Sequence, residues 1–457
     1  MSVKLIPSQW RENAYRLKDK TCVHDIAAQK MYTWNEMLEF VENYRSQLRD
    51  LGIGTGQRLA LIADASAQWI AMVWACWEEG VCWSPFPSSV PSERKHTQLE
   101  FGEFHAQWEG ESVKIVNPSA VRNSVDAAYL IFTSGTTGQP KGVLVGWHGI
   151  ENLWKEQCNI FQLDENSTSV WMLSPSFDAS VSDVGVALFS GAQLVVVPQK
   201  YWLRYDRWKR DMERFQVTHL DAPPSLLARW EHKPLPSFLK VVIAGGEPTP
   251  PSLLKAWSQQ VRWVNVYGPT ETTVCSSAEV RNVRQLEEGL PTLGAPLSHI
   301  SYQLVHPEQH TLTNEGELWI GGDCVALEYW KDPVLTQQRF SNDTIRWFKS
   351  GDWVRYDGSN WIYCGRMDRQ IKRNGQLINL DEIEHVLCQH PGVGQVIVVN
   401  KNDILYALHC SECTSEELTN FAQTKLPAWG VPRFRSMTNW PLTPHNKIDR
   451  KELEKML

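Results

Sequence analysis

Residues 129–142 read Tyr-Leu-Ile-Phe-Thr-Ser-Gly-Thr-Thr-Gly-Gln-Pro-Lys-Gly. An apolar strand, Tyr129–Phe132, hands over to a loop of hydroxyls and glycines that ends in Lys141, and a second apolar run, Val143–Val145, follows. Glycine lets the backbone bend tightly and approach a ligand closely. Successive loop N–H groups can then form an anion-binding concavity. Ser134, Thr136 and Thr137 add hydroxyl donors, and Lys141 adds a point charge. The loop is therefore built to hold a polyphosphate. A Walker loop needs Gly-x-x-x-x-Gly-Lys-Ser/Thr before a helix. Here the spacing is Gly135-x-x-Gly138-x-x-Lys141 and leads into a strand.

A chain of 457 residues exceeds what one core supports and implies two or three domains. Its net charge of -7 argues against a nucleic-acid or membrane-surface binder. The 22 tryptophans read as large core and groove fillers. Ten cysteines are scattered, and Cys410 and Cys413 form a lone Cys-x-x-Cys with no second pair at zinc-like spacing. Thiols in a reducing compartment fit this usage. The N-terminus shows no apolar signal core, and the longest apolar run, Trp69–Trp77, is far short of a membrane span. The expectation is a cytoplasmic protein.

Thr33-Trp-Asn-Glu36 is a capping box. Apolar residues then recur at helical spacing from Trp34 to Leu51, and Gly52 supplies the stop. Apolar strands are expected at Leu59–Ala63, Ser169–Leu173, Leu194–Val197, Val241–Ala244 and Val261–Val266, with helices between many of them. That alternation predicts an α/β fold: a large multi-layer N-terminal domain with mostly parallel sheets. Two of these strands run into glycine turns, Gly245-Gly246-Glu247 and Tyr267-Gly268-Pro269-Thr270-Glu271, at the strand ends where α/β sheets bind ligands. The last ninety residues differ. A helix over Asp381–Gln389, paired strands Gln395–Val399 and Ile404–His409, and a helix over Glu416–Leu426 make a small α+β unit. The boundary is placed in Cys364–Arg369, giving domains of 1–366 and 367–457.

The ordered blocks 133–142, Phe177-Asp178-Ala179-Ser180, Tyr267–Thr273, Ser350-Gly351-Asp352 with Gly365–Asp368, and Leu442-Thr-Pro-His-Asn-Lys447-Ile-Asp-Arg carry a resemblance. Together they resemble the adenylate-forming superfamily, and within it the stand-alone amino-acid adenylation domains of nonribosomal peptide synthetases. The resemblance implies a ligase that uses ATP and Mg²⁺. A carboxylate attacks the α-phosphorus to give an acyl-adenylate and pyrophosphate, and a thiol then takes the acyl group. Positioning and charge stabilisation carry most of such catalysis. Carried over by position, the roles fall as follows. Lys447, Glu271 and Thr133 are catalytic, and Glu271 also holds the metal. The nucleotide is expected at Ser134, Gly135, Thr136, Thr137, Gly138, Lys141, Gly245, Gly246, Glu247, Tyr267, Gly268, Thr270, Asp352 and Arg366. Asp368 is the hinge about which the small, mobile C-terminal domain turns, carrying Lys447 into the site.

The same resemblance assigns Asp178 to the substrate ammonium. A buried carboxylate needs a cation, and its alternative reading is a capping aspartate before a helix. The remaining pocket wall is Ala179, Ser182, Ser225, Val242, Ala244, Val266, Val274 and Cys275. None is charged, and several are small, which favours a hydrophobic or aromatic L-amino acid. One methylene discriminates only about 10–200-fold in such a pocket, so the side chain itself stays open.

Some positions depart from the family pattern: Gly146-Trp147-His148, Asn374 and Leu377, His445-Asn446 before Lys447, and a short stretch between Ser84-Pro-Phe-Pro and Tyr129. No phosphopantetheine serine follows Leu457, so the thiol is expected from a separate peptidyl carrier protein. A small MbtH-like activator protein is a further partner the resemblance leaves room for. The competing readings are an acyl- or aryl-CoA ligase of the same superfamily and a catalytically silent nucleotide-binding relative.

Overall fold

In the computed structural model the Thr33 hydroxyl accepts from the Glu36 N–H at 3.2 Å while the Glu36 carboxylate accepts from the Thr33 N–H at 2.8 Å, opening the Trp34–Asp50 helix. The structure describes residues 7–122, 126–133, 141–198, 201, 204–231, 233–282, 292–342, 344–373, 376–402, 404–426, 430–442 and 448–457. The loop residues Ser134, Gly135, Thr136, Thr137 and Gly138, as well as Asn374 and Lys447, lie outside the described residues.

Three sheets carry the first 366 residues. A nine-stranded sheet runs in the order Ala295–Pro296, Ser277–Arg281, Arg262–Tyr267, Val241–Gly245, His219–Asp221, Thr168–Trp171, Gln193–Val196, Thr21–Asp25, Lys30–Thr33. Its central pairings are parallel, and only the edge strands are antiparallel. A seven-stranded mixed sheet contains Ala127–Thr133 and Lys141–Gly146 as an antiparallel pair, with Glu328–Tyr329 added beside Lys141–Gly146. The third sheet is wholly antiparallel. Arg346–Tyr356 lies at its centre, flanked by Glu315–Gly322 and Trp361–Arg366. The α/β expectation thus holds for the first two sheets, whereas the third was not foreseen.

Residues of the two larger sheets meet in one core with the helices Trp34–Asp50, Ala67–Glu78, Ile150–Phe161 and Ala179–Ser190. Tryptophans fill it. Trp10 stacks on Trp154 with centroids 5.2 Å apart and meets Trp74 edge-on at 5.2 Å. A second cluster covers the opposite face of the nine-stranded sheet. Strand alternation sends Val242, Ala244 and Leu220 there, and Val241 and Ile243 into the first core.

Toward the C-terminus, Val396–Lys401 and Ile404–His409 pair antiparallel, and Arg433–Ser436 joins in parallel. Val396 and Val398 pack against the helices Leu380–Leu387 and Ser415–Lys425, while Ile397 and Val399 pack with Leu453 on the other face. Arg369 and Arg450 both bind the Glu384 carboxylate at 2.8 Å, which ties the segment after Asp368 to this unit. Among the described residues, no helix is long and apolar enough to cross a membrane.

Candidate active site

Lys141 begins its strand directly opposite Thr133, the two being register partners. They flank the mouth of the 134–140 loop. Thr133 Oγ1 is buried and has no partner among the described residues. Lys141 Nζ stands 3.9 Å from Glu271 Oε1 and 4.9 Å from the centre of the Tyr329 ring. Glu271 sits in the short Thr270–Thr272 turn of helix that follows the Arg262–Tyr267 strand, and is 9% exposed. The Tyr329 hydroxyl donates to Glu271 Oε1 at 2.6 Å. Burial and then the Glu271 charge hold that phenol far above its usual titration range. It therefore acts as a fixed donor that aims the carboxylate. Tyr329 was missed in the sequence, because only its pairing beside Val143 brings it here.

A second cluster gathers at the end of the same strand. Tyr267 donates its phenol to Asp352 Oδ2. Arg366 Nη1 binds Asp352 Oδ1 at 3.0 Å, and Asp352 and Arg366 are direct partners across adjacent antiparallel strands. Burial raises the Asp352 carboxyl from its ordinary value, with the Arg366 charge opposing. Arg366 also donates to the Ser350 carbonyl at 2.9 Å and reaches Asp368 Oδ1 at 3.3 Å. Expected nucleotide ligands from two distant stretches, Tyr267 and Asp352, are thus in contact.

The glycines between these groups have physical reasons. A Cβ on Gly268 would stand 2.6 Å from the Val274 carbonyl oxygen and 2.7 Å from Cys275 Cα, so backbone itself forbids it. On Gly245 it would meet Val266 Cγ2 at 2.6 Å. Beyond Thr270, two β-branched residues in succession, Thr273 (φ 57°) and Val274 (φ 66°), adopt the left-handed region. Such a backbone costs about 1–3 kcal/mol per residue and gathers at functional sites. Thr273 Oγ1 donating to the Cys324 carbonyl at 2.6 Å helps to hold it.

Asp178 heads the Ala179–Ser190 helix in αR geometry, and its side chain makes no capping hydrogen bond. The simple capping reading therefore fails. Its charge is felt by the fully buried Tyr129 phenol, which burial already pushes well above its usual value. Val266, Val274 and Cys275 pack against the core that the helix also enters. Val242 and Ala244 do not join them, since they face the other side of the sheet. Ser182 turns toward the neighbouring helix, donating to Gln157 Oε1 at 2.9 Å. Ser225 donates its N–H to Glu247 Oε2 at 3.1 Å. Those two, with Gly246, line a cleft of about 720 Å³ whose other wall includes Tyr363, Asp381 and Arg450.

The donor set suits a nucleotide with a divalent cation. One buried carboxylate beside a lysine leaves further metal positions to phosphate oxygens, as magnesium prefers. A phosphate arriving between Lys141 and Thr133 would meet a cation and an orphaned hydroxyl.

An ATP-handling α/β enzyme is the class this geometry defines. A family model described as AMP-binding enzyme matches residues 10–106 and 97–330. The chain belongs to that family, and with it to the adenylate-forming superfamily. Gramicidin S synthase 1 of Brevibacillus brevis is 30% identical over 442 residues, covering 88% of this chain and 40% of that protein. Tyrocidine synthase 1 of Brevibacillus parabrevis is 32% identical over 358 residues, covering 75% and 32%. The chain thus spans about a third to two-fifths of these relatives' length. A four-domain nonribosomal peptide synthetase solved with AMP and glycine superposes with a TM-score of 0.83 at 26% identity, over 97% of this chain and 36% of that one. O-succinylbenzoate coenzyme A synthetase from Bacillus subtilis, solved with ATP and magnesium, shares the fold at a TM-score of 0.81 and 20% identity, over 98% and 99%.

Proposed function

We propose that this protein activates an amino acid as its aminoacyl-adenylate, releasing pyrophosphate, and passes the acyl group to the phosphopantetheine thiol of a separate carrier protein. The observation that carries the reading is Asp178. It is a half-buried carboxylate at the head of the Ala179–Ser190 helix, which enters the core between two sheets, and an anion at that place suits an ammonium group. Adenylation domains among the relatives support the same class.

Each group then has a task. Thr133 and Lys141, with the 134–140 loop, hold the phosphates. Tyr267 takes the adenine ring on its face, and Asp352, oriented by Arg366, accepts from the ribose hydroxyls. Glu271, aimed by Tyr329, would hold magnesium, which when bound neutralises phosphate charge. The substrate carboxylate oxygen attacks the α-phosphorus and the bond to pyrophosphate breaks. Lys447 bridges the carboxylate and the phosphate while charge builds up. The small unit beyond Asp368 turns about that residue to bring Lys447 in and, for the second step, to take it away. Ala179, Val266, Val274 and Cys275 favour a hydrophobic or aromatic side chain.

The fold is equally that of an acid–coenzyme A ligase, so coenzyme A as the acceptor is the second reading. Substrate-dependent ATP–pyrophosphate exchange, run over the twenty amino acids and a panel of aryl acids, separates them. Amino-acid-dependent exchange that Asp178→Ala removes is expected. Exchange with aryl acids alone would overturn the proposal.

A further inference from the structure

Two carboxyls near Ala179 and Cys275, Asp183 buried and Asp221 half-buried, have no part in the two-step chemistry. Asp183 lies five residues beyond Asp178 and four beyond Ala179 in the Ala179–Ser190 helix. A rise of about 1.5 Å per residue sets it about 7.5 Å further along the helix than Asp178, on the face that Ala179 occupies. That is the span from an α-ammonium to the far end of an aromatic side chain. Asp183 is 6% exposed, and its Oδ2 has no hydrogen-bonding partner outside the carboxyl pair among the described residues.

Its neighbour is Asp221, the last residue of the His219–Asp221 strand, and the two carboxyls are within hydrogen-bonding contact. Asp221 is the register partner of Ile243, whose side chain enters the core between the sheets, so both project to the side from which the helix packs. Cys275, from the strained turn after Gly268, completes the group. Its buried thiol donates to the Ser277 carbonyl at 3.3 Å and feels the Asp221 charge. Helix, strand and turn thus converge on one acid pair, and two of the three carry the expected wall residues Ala179 and Cys275.

Burial and mutual repulsion push the Asp183 carboxyl well above its ordinary value, and burial brings Asp221 to about 7. The pair therefore keeps a proton between its members near neutral pH. Sharing it still leaves the buried Asp183 Oδ2 with unused acceptor lone pairs, which a donor on a ligand can satisfy.

We propose that Asp183 and Asp221 form the floor of the side-chain pocket and select an amino acid whose otherwise apolar side chain ends in a neutral hydrogen-bond donor, a ring hydroxyl or a ring N–H. The inference rests on the amino-acid reading above. A site that bonds a substrate hydroxyl rejects the analogue lacking it far more strongly than an apolar pocket rejects a methylene, because the buried acceptor is stranded.

The test compares donor and donor-free isosteres in ATP–pyrophosphate exchange: tyrosine against phenylalanine, and tryptophan against 1-methyltryptophan. In the wild-type protein one donor substrate is expected to exceed its isostere in kcat/KM by at least about 100-fold. Asp183→Asn and Asp221→Asn are each expected to compress that ratio about tenfold or more, and an uncompressed ratio in folded variants would count against the pair. The wild-type comparison needs no variant, so misfolding of either variant does not blunt it. Equal use of donor and isostere, or a preference for ornithine or lysine, would overturn the role of the acid pair while leaving amino-acid activation standing. Exchange with aryl acids alone would overturn the amino-acid reading instead. The ratio of 4-hydroxybenzoate to benzoate would then judge the pair, with a ratio near one counting against it.

Discussion

The phenol of Tyr267 donates to the carboxylate of Asp352, joining the end of a strand in the nine-stranded sheet to the central strand of the antiparallel sheet. The contact spans 85 residues of sequence. It fixes the position of an aromatic face relative to an acceptor, the arrangement that the proposed adenosine site uses. Asp352→Asn removes a charged acceptor, an interaction of about 1.5–3 kcal/mol. We expect kcat/KM for ATP to fall about 10–100-fold in pyrophosphate exchange. Tyr267→Phe removes a hydrogen bond to that carboxylate and should lower stability by about 1.5–3 kcal/mol in denaturant titration. An unchanged ATP dependence in Asp352→Asn would remove Asp352 from the nucleotide site.

The Tyr329 hydroxyl orients Glu271, the proposed magnesium ligand. Partners of a metal-binding carboxylate typically account for about 10–100-fold in metal affinity. Tyr329→Phe is expected to raise the half-saturating Mg²⁺ concentration by that factor, with kcat restored at high Mg²⁺. A magnesium titration of exchange activity checks this, and an unshifted midpoint would mean that Glu271 needs no such support.

Gly268 has backbone where a Cβ would go. Gly268→Ala must displace the Val274–Ser276 segment, and overpacking of this kind costs about 1–3 kcal/mol. Thermal melting should show the loss, and exchange activity should fall further than stability alone explains, since Glu271 and the Val274–Cys275 wall lie on the displaced turn.

Lys447→Ala should leave the melting temperature unchanged and cut adenylation about 10²–10³-fold. Near-normal pyrophosphate exchange in this variant is the result that would refute the assignment of Lys447.

His219 is buried between the Phe161 carbonyl, 2.9 Å from Nε2, and Thr218 Oγ1, 2.7 Å from Nδ1. Burial pulls its titration down to about 4, with the Phe161 hydrogen bond and Asp164 opposing and Lys240 adding slightly in the same direction. The folded state thus keeps the imidazole neutral where the unfolded chain protonates it. The sign follows: this contribution is fully present above about pH 6.5 and is lost as pH falls toward 4, reaching about 3 kcal/mol. The stability difference between wild type and His219→Gln, measured by denaturation from pH 7 to pH 4, should shrink by that order. A pH-independent difference would contradict it.

Much of this was legible in the chain because it is local. The Thr33–Glu36 capping box sets a helix start from four residues. The turns at Gly245 and Gly268 mark strand ends because backbone crowds both positions. What escaped depends on pairing between distant segments. Nothing near Glu328-Tyr329 points to Glu271; the strand has to be laid beside Val143 first. Val242 and Ala244 were expected to line one pocket with Val266. Two adjacent strands share a face only where their register agrees, and here Val266 is paired with Gly245 rather than Ala244. Asp183 carried a faint signal, a carboxylate inside the apolar run Val181–Val186, whose meaning needed Asp221 from 38 positions on.

Arg366 grips the large part of the molecule with its guanidinium, through Asp352, while its own backbone N–H donates to Asp381 Oδ2 at 2.9 Å at the start of the tail unit. Any swivel about residue 368 has to snap the second link or drag on the first. With Asp352 taking the ribose as proposed, the residue that orients it is also the latch on the tail, and filling the nucleotide site would be mechanically geared to the angle of the tail.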